Sequence, residues 1–245
     1  ETINSVTQLS SNVHVFTSYR DSVGNRFFVG HTNPTGTDVT STFDSSASRP
    51  FVAKFNSAGS LDWIYTYEST FGAIHSAIEV SDRIMCGGVI YDGGTNKAFV
   101  MAISKAGEFQ WQKTIGNMTE ITDVTTDGDI LYAIGTHSTE GVGVVKINAA
   151  GVEQWSRTLS FNDSTNANTL VPSSCVFAGT PTTSTDTYAL AGDTTAEDNL
   201  YVAAYDTNLN NSFVVRLSEA GVQIAGYTYG DIRINSLRVD TGNGD

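Results

Sequence analysis

Polar and apolar residues alternate along this chain in short runs, and one such run occurs four times. The four copies span residues 51–63, 99–111, 143–155 and 213–225. Within them, apolar positions flank a central residue that is Lys or Arg in three copies and Ala102 in the second, as Val145 and Ile147 flank Lys146. Alternation of this kind is typical of a half-buried strand, because successive side chains point to opposite faces. Each copy therefore predicts a strand, a tight turn and the start of a second strand.

An Ala-Gly pair marks the turn in every copy. Glycine takes a positive φ without steric cost, which suits a hairpin turn. The four glycines are separated by 48, 44 and 70 residues, and they are Gly59, Gly107, Gly151 and Gly221. Four residues after the glycine, three copies carry Trp63, Trp111 or Trp155, whereas the last has Ala225. Self-similarity at such a period indicates a repeat architecture.

A second predicted hairpin precedes each copy. Its second strand is expected to end at a glycine, namely Gly30, Gly87, Gly135 or Gly192. Each repeat is then four strands, at about 12–67, 73–115, 119–159 and 170–229, with an insertion at 196–211 and a partial unit at 231–245. This pattern predicts an all-β fold, a β-propeller of four-stranded antiparallel blades. The alternatives are a β-sandwich, whose strands need not repeat one sequence motif, and a β-solenoid, whose coils are usually shorter than these repeats.

We expect residues 1–245 to form a single β-propeller domain. Propellers usually close with about four to eight complete blades, whereas this chain has four complete units and a partial one. Two interpretations stay open. The chain is a piece of a longer polypeptide, which we favour, or residues 1–11 and 231–245 complete a blade together.

Net charge limits the classes of binding partner, and the number of cysteines limits the disulfide bonds. The chain has 26 acidic and 13 basic residues, a net charge of −13. This opposes binding to nucleic acid and to anionic membranes, and no apolar run is long enough for membrane insertion. Abundant Ser, Thr and Asn with little Lys suit an extracellular or virion protein. Cys86 and Cys175 are too few for a disulfide framework and are interpreted as buried thiols.

No residue set predicts a catalytic site. The sequence lacks a Gly-x-Ser-x-Gly elbow and a His-Glu-x-x-His motif. His31 and His137 follow the glycines of two second strands, which places both near one rim. A shared metal ion is one interpretation, and ordinary rim histidines are the favoured one.

Aspartates near two predicted turns leave calcium as an alternative ligand. They are Asp123, Asp127, Asp129, Asp240 and Asp245. A calcium loop needs more oxygen ligands at defined spacing, and hairpin turns select Asp for local reasons. We therefore expect no cofactor and no metal ion, with calcium as the weaker alternative.

The Gly-x-x-x-Trp spacing resembles the tryptophan-docking motif of quinoprotein-type propellers. That resemblance implies indoles packed between neighbouring blades. The residues expected to dock the blades are Gly59, Trp63, Gly107, Trp111, Gly151, Trp155 and Gly221. The Asp and Thr that precede the glycine in that family are missing, so pyrroloquinoline quinone is not implied.

The wider phrase, over residues 12–240, resembles bacterial and phage propeller-repeat proteins, including virion structural proteins of marine tailed phages. This implies a non-enzymatic structural or receptor-binding component of a phage tail or fibre, located in the virion. Its partners would be other virion or cell-surface proteins, or host glycans. A secreted bacterial cell-surface propeller that binds glycan or protein is the alternative, and a hydrolase or lyase using the channel is a third. Tyr65 and Tyr67 are among the aromatics that could contact a partner, although packing is the default for each.

Overall fold

The computed structural model describes residues 13–33, 48–67, 70–138, 141–162, 175–178, 187–194, 199–206, 211–230 and 234. Of these, residues 160–162, 175–178, 187–194, 205, 206, 211 and 230 are described by their backbone only. Within these ranges the chain forms 17 strands. The same ranges contain no helix with the length and hydropathy that a membrane crossing requires.

Four sheets account for all of these strands. The first contains β1 (Val13–Arg20), β2 (Arg26–Thr32), β3 (Arg49–Phe55) and β4 (Leu61–Thr66). The second contains β5 (Phe71–Val80), β6 (Arg83–Asp92), β7 (Thr95–Ser104) and β8 (Phe109–Ile115). The third contains β9 (Met118–Asp127), β10 (Ile130–His137), β11 (Val142–Asn148), β12 (Glu153–Asn162) and β13 (Cys175–Ala178). The fourth contains β14 (Thr187–Thr194), β15 (Leu200–Asp206), β16 (Asn211–Leu217) and β17 (Gln223–Gly230).

Successive sheets pack face to face in chain order. Strand β5 packs against β1, β2 and β3, β9 packs against β5, β6 and β7, and β14 packs against β9, β10 and β11. The first strand of each later sheet therefore lies against three strands of the sheet before it. This arrangement confirms the predicted fold class, an all-β propeller of four-stranded antiparallel blades. We number the sheets as blades one to four.

A β-bulge interrupts the first strand of every blade. The strand register shifts at Phe16, His75, Thr122 and Leu190. Opposite three of the bulges the second strand carries Gly30, Gly88 or Gly135. A Cβ on any of these glycines would lie 1.9–2.0 Å from a carbonyl oxygen of the bulged strand. The glycines therefore permit close approach of two backbones, as bulges often require.

The second strands do not end at these glycines, although the spans predicted for them, about 25–32, 83–91 and 129–137, agree with the structure. The glycines lie inside these strands, and β2, β6 and β10 continue to Thr32, Asp92 and His137. In blade two the bulged residue, His75, lies between Ile74, which pairs with Gly88, and Ser76, which pairs with Gly87.

The predicted start of blade four, at residues 170–177, is also wrong. Its first strand is β14, and its second strand, β15, lies within the predicted insertion at 196–211. Strand β15 carries Ala204 instead of glycine near the bulge, so the glycine signal was missing. Leu200 and Val202 are nevertheless fully buried, as residues of a second strand should be. Strand β13 pairs in parallel with β12 at the edge of blade three.

The apolar core lies mainly between blades. One cluster joins blades one and two, a second joins blades two and three, and a third joins blades three and four. Their largest fully buried side chains include Phe27, Phe99, Met85, Ile121, Tyr132 and Phe213. Each blade is therefore held chiefly by its neighbours, so the joints between blades decide both stability and the shape of the surface.

Candidate functional site at the joints between blades

Each tryptophan docks on the hairpin of the following blade. The Nε1 group of Trp63 donates to Lys105 O at 3.2 Å, that of Trp111 donates to Ala149 O at 3.2 Å, and that of Trp155 donates to Glu219 O at 2.9 Å. Below the indoles lie Gly107, Gly151 and Gly221, where a Cβ would come within 2.8–3.0 Å of a ring atom. The structure thus places a tryptophan of one repeat on the glycine of the next.

Gly59 takes the corresponding turn position in blade one. Its φ of +84° resembles the +90°, +83° and +72° of the other three glycines. In each hairpin, the residue three positions before the glycine caps the turn. In blade one Asn56 Oδ1 accepts hydrogen bonds from the amides of Ala58 and Ser60, both at 3.0 Å. Residues Ser104, Asn148 and Ser218 make the equivalent side-chain contacts. This explains the Asn/Ser-x-Ala-Gly phrase in physical terms.

The basic residue of the repeat has different partners in different blades. Lys54 pairs with Asp62 of its own blade at 3.0 Å, whereas Lys146 pairs with Glu219 of the next blade at 3.0 Å. Burial opposes a charged Lys146, but the hydrogen bond to Glu219 and the nearby Tyr132 together outweigh burial and raise the pKa of Lys146. The contacts of the basic position therefore differ from blade to blade, and in blade two the position is occupied by Ala102.

Past Trp63, toward the end of β4, lies a part of the joint between blades one and two that we call its outer part. This part is filled by aromatic rings. Phe109 stacks on Tyr65 and Tyr67, with ring centroids 6.3 and 5.8 Å apart. The Tyr67 hydroxyl also donates to Gln112 Oε1. Both tyrosines were candidate contact residues, and the structure places them in packing contacts.

The same part of the joint between blades two and three contains a polar cleft of about 230 Å³. Counted from the tryptophan and the glycine, Tyr65, Tyr67, Phe109 and Gln112 correspond here to Lys113, Ile115, Glu153 and Ser156. Lys113 and Glu153 form an ion pair at 3.4 Å in place of the stacked rings. The smaller side chains leave space that is lined by Asn117, Met118, His137, Glu153, Ser156 and Thr158.

Arg157 also lines this cleft, and both it and the nearby Lys113 already have partners. Arg157 donates from Nε to Gly221 O at 3.2 Å, from Nη2 to Ala220 O at 3.1 Å, and from Nη1 to Ser156 O at 2.7 Å. Lys113 pairs with Glu153. The cleft therefore offers a carboxylate, hydroxyls, an amide and an imidazole, which are groups that hydrogen-bond a neutral polar ligand.

The histidines do not group as the sequence suggested. His137 lines the cleft, whereas His31 lies beside His14, with ring centroids 5.4 Å apart. Burial, followed by the nearby His14 and His75, lowers the pKa of His31 to about 4. The contact between β1 and β2 and the bulge at His75 create this group, and the one sequence signal for it was the glycine facing each bulge.

The aspartates and cysteines of the sequence analysis have structural surroundings. Asp123 Oδ1 accepts from Ser76 Oγ at 2.8 Å and from the Val124 amide at 2.9 Å, which links β9 to β5. Asp127 and Asp129 flank the turn between β9 and β10, while Asp240 and Asp245 lie outside the described residues. Cys86 is a buried free thiol, and burial raises its pKa. The side chain of Cys175 lies outside the description.

Comparison with known proteins finds distant structural similarity and no family. No protein-family profile matches the chain, and no curated protein sequence matches it. Similar solved structures include a subtype N10 neuraminidase-like protein of A/little yellow-shouldered bat/Guatemala/060/2010. It shows 13% identity and a TM-score of 0.45, over 89% of this chain and 83% of that one. The sheet arrangement described above defines the class, that of the β-propellers.

Two further solved structures extend the comparison. Prolyl oligopeptidase B from Galerina marginata shows 12% identity and a TM-score of 0.43, over 82% of this chain and 25% of that one. A quinoprotein alcohol dehydrogenase-like protein from Bacteroides thetaiotaomicron shows 12% identity and a TM-score of 0.31, over 89% of this chain and 62% of that one. The chain thus spans a quarter of the length of the prolyl oligopeptidase and less than two thirds of that of the quinoprotein-like protein.

These matches correct one expectation from the sequence. The expectation that the protein is not an enzyme, which rested on the lack of a catalytic residue set, is wrong as stated, because the matched structures include a peptidase. At 11–13% identity and TM-scores below 0.5, the similarity concerns the fold alone and transfers no activity to this chain.

Proposed function

We propose that this chain is a binding propeller of a virion, a component of a phage tail or fibre that recognises a glycan of the host surface. The observation that carries the proposal is the polar cleft between blades two and three. Recognition sites commonly lie where a rigid scaffold leaves variable surface features, and here the docking contacts repeat while the two compared joints differ in their filling. The resemblance of the repeats to virion structural proteins supports the setting.

The lining of the cleft favours a neutral hydroxylated ligand. A volume of about 230 Å³ is enough for one sugar ring. Glu153, Asn117 and Ser156 offer hydrogen-bond acceptors and donors, and Met118 adds an apolar surface. The engaged state of Arg157 and the net charge of −13 argue against phosphate-rich ligands. The proposed mode of binding needs neither a cofactor nor a metal ion.

A second candidate is a secreted bacterial cell-surface propeller that uses the same cleft for a glycan. The repeat phrase resembles bacterial surface propellers as well as virion proteins, and the acidic composition suits both locations. The genes next to the coding region separate the two settings. Capsid and tail genes are expected for the first, and secretion or cell-wall genes for the second.

A glycan array tests the binding function directly. The unchanged protein is compared with Ser156→Trp, which places a large ring at the mouth of the cleft. The matched control is Ile64→Trp, at the corresponding outer-strand position of blade one, where Ile64 is exposed. We expect neutral glycans to bind the unchanged protein and the control, with at least about a tenfold loss for Ser156→Trp. Equal binding by all three proteins, or no binding to any glycan, would contradict the proposal.

A further inference from the structure

Three of the four histidines surround Phe16 near the joint between blades one and two. The Phe16 ring lies 4.8 Å from the His14 ring, 5.5 Å from the His31 ring and 5.0 Å from the His75 ring. Phe16 is 39% exposed, whereas His31 is fully buried. Because Phe16 lies among them, the imidazoles do not converge, and the described residues hold no ready-made group of three metal ligands.

His31 is buried without a polar partner. Neither of its ring nitrogens has a hydrogen-bond partner in the part of the chain that the structure describes. Buried polar groups are almost always hydrogen-bonded or bound to a ligand, because an unsatisfied group loses its hydration without compensation. Such an imidazole beside a second and a third imidazole is a candidate metal ligand.

The spacing of His14 and His31 fits one metal ion. The two residues are direct partners across β1 and β2, and their ring centroids lie 5.4 Å apart. Two imidazoles bound to one tetrahedral ion at about 2.0–2.1 Å place their ring centroids about 5.2 Å apart. The ring separation of the pair therefore matches that of two imidazole ligands of one ion.

His75 is oriented to act as a further ligand. Its Nδ1 lies 2.9 Å from Ile121 O, and a hydrogen bond donated there leaves the lone pair on Nε2. Histidines that bind metal ions commonly donate their other N–H group to a carbonyl in this way. His75 and Phe16 both occupy bulges, where the residue is released from strand pairing. A turn of the half-exposed Phe16 toward solvent removes the ring that separates His75 from the pair.

We propose that His14 and His31, joined by His75 once Phe16 turns outward, bind a divalent transition-metal ion such as Zn²⁺. Imidazole suits zinc, copper and nickel, and water completes the coordination. The site draws ligands from blades one and two, so the ion ties these blades together. It is separate from the glycan cleft and does not depend on it.

The test is a calorimetric titration of the tag-free protein with ZnCl₂, repeated with Co²⁺ to record its ligand-field absorption. We expect one Zn²⁺ per chain, a higher Tm with the ion, and Co²⁺ bands typical of nitrogen ligands. His14→Ala is expected to weaken binding at least about tenfold, and His75→Ala to weaken it less. Phe16→Ala is expected to tighten binding, because it removes the ring between the imidazoles.

The fourth histidine provides the matched control. His137→Ala lies outside the cluster and is expected to bind Zn²⁺ as the unchanged protein does. His14 is only half buried, and circular dichroism verifies that each variant is folded before titration. The proposal is overturned if Zn²⁺ does not bind, if His14→Ala binds as tightly as the unchanged protein, or if His137→Ala alone abolishes binding.

Discussion

Two joints can be compared, the one between blades one and two and the one between blades two and three. They share the docking contact of the indole and differ in their outer parts. In both, an indole packs on a glycine and donates to a carbonyl at 3.2 Å. Farther along the outer strands, the first joint is closed by Tyr65, Tyr67 and Phe109. The second joint has the Lys113–Glu153 ion pair and a cleft.

The difference separates what holds the ring together from what varies on its surface. The indole contact recurs three times, so it belongs to the scaffold. The aromatic filling occurs at one of the two joints, so the scaffold does not require it. Replacement of Tyr67 and Gln112 by Ile115 and Ser156 at the same positions opens a cleft without altering the docking contact.

The largest expected effect is the loss of an indole. Trp63→Ala and Trp111→Ala should each lower the free energy of unfolding by about 3–5 kcal/mol, because packing and the Nε1 hydrogen bond are lost together. Since the docking contacts match, the two losses should agree within about 1 kcal/mol. Urea unfolding measures both, with the exposed Val152→Ala as a control that should change stability by less than about 0.5 kcal/mol. A difference above about 2 kcal/mol would mean that the outer filling and the indole are coupled.

The next effect concerns the glycine beneath the indole. Gly107→Ala should cost about 2–3 kcal/mol, from the positive φ and from overpacking against Trp63. Gly94→Ala is a matched control, because its φ is +91° against +90° at Gly107, and nothing lies within 4 Å of the added Cβ. Thermal and urea unfolding should show a smaller loss for Gly94→Ala, about 1 kcal/mol. Equal losses would show that backbone strain alone makes the glycine necessary.

A smaller effect is expected when the first joint is made to resemble the second. Tyr67→Ile removes a stacked ring and a hydrogen bond to Gln112 and should cost about 1–2 kcal/mol. Tyr67→Phe keeps the ring and should cost about 1 kcal/mol or less. The measurement is urea unfolding of both variants. No loss in Tyr67→Ile would show that the aromatic filling contributes nothing to the joint.

The sequence predicted the parts of this molecule that repeat. The Ala-Gly phrase correctly located the hairpins from β3–β4 to β16–β17, because its turn chemistry is local. Blade four was misassigned where the phrase alone could not help, since β15 lacks the second-strand glycine. The sequence did not predict the cleft or the group of His14, His31 and His75. Contacts between blades and β-bulges bring the residues of both together, and neither is visible in the sequence pattern. A comparison of Tyr67 with Ile115 in the aligned repeats is the one signal that pointed to the cleft.

The smallest expected effect is a pH dependence of the first joint through Glu79. The side chain of Glu79 is 14% exposed, forms an ion pair with Lys105, and accepts a hydrogen bond from the Ser22 amide at 3.0 Å. Burial alone would raise the pKa of Glu79, but the hydrogen bonds from Lys105 and then Ser22 outweigh it, and the pKa falls below its ordinary value of 4.5. Above pH 4.5 this stabilisation is fully present, and it is lost as the pH falls through the lowered pKa. Glu79→Gln should therefore lower stability by about 1 kcal/mol at pH 7 and flatten the decline of stability between about pH 5 and pH 3. Urea unfolding across this range checks both effects, with the exposed Glu108→Gln as the control. If Glu79→Gln and Glu108→Gln give the same profile, the link from Ser22 to Glu79 does not hold blades one and two together.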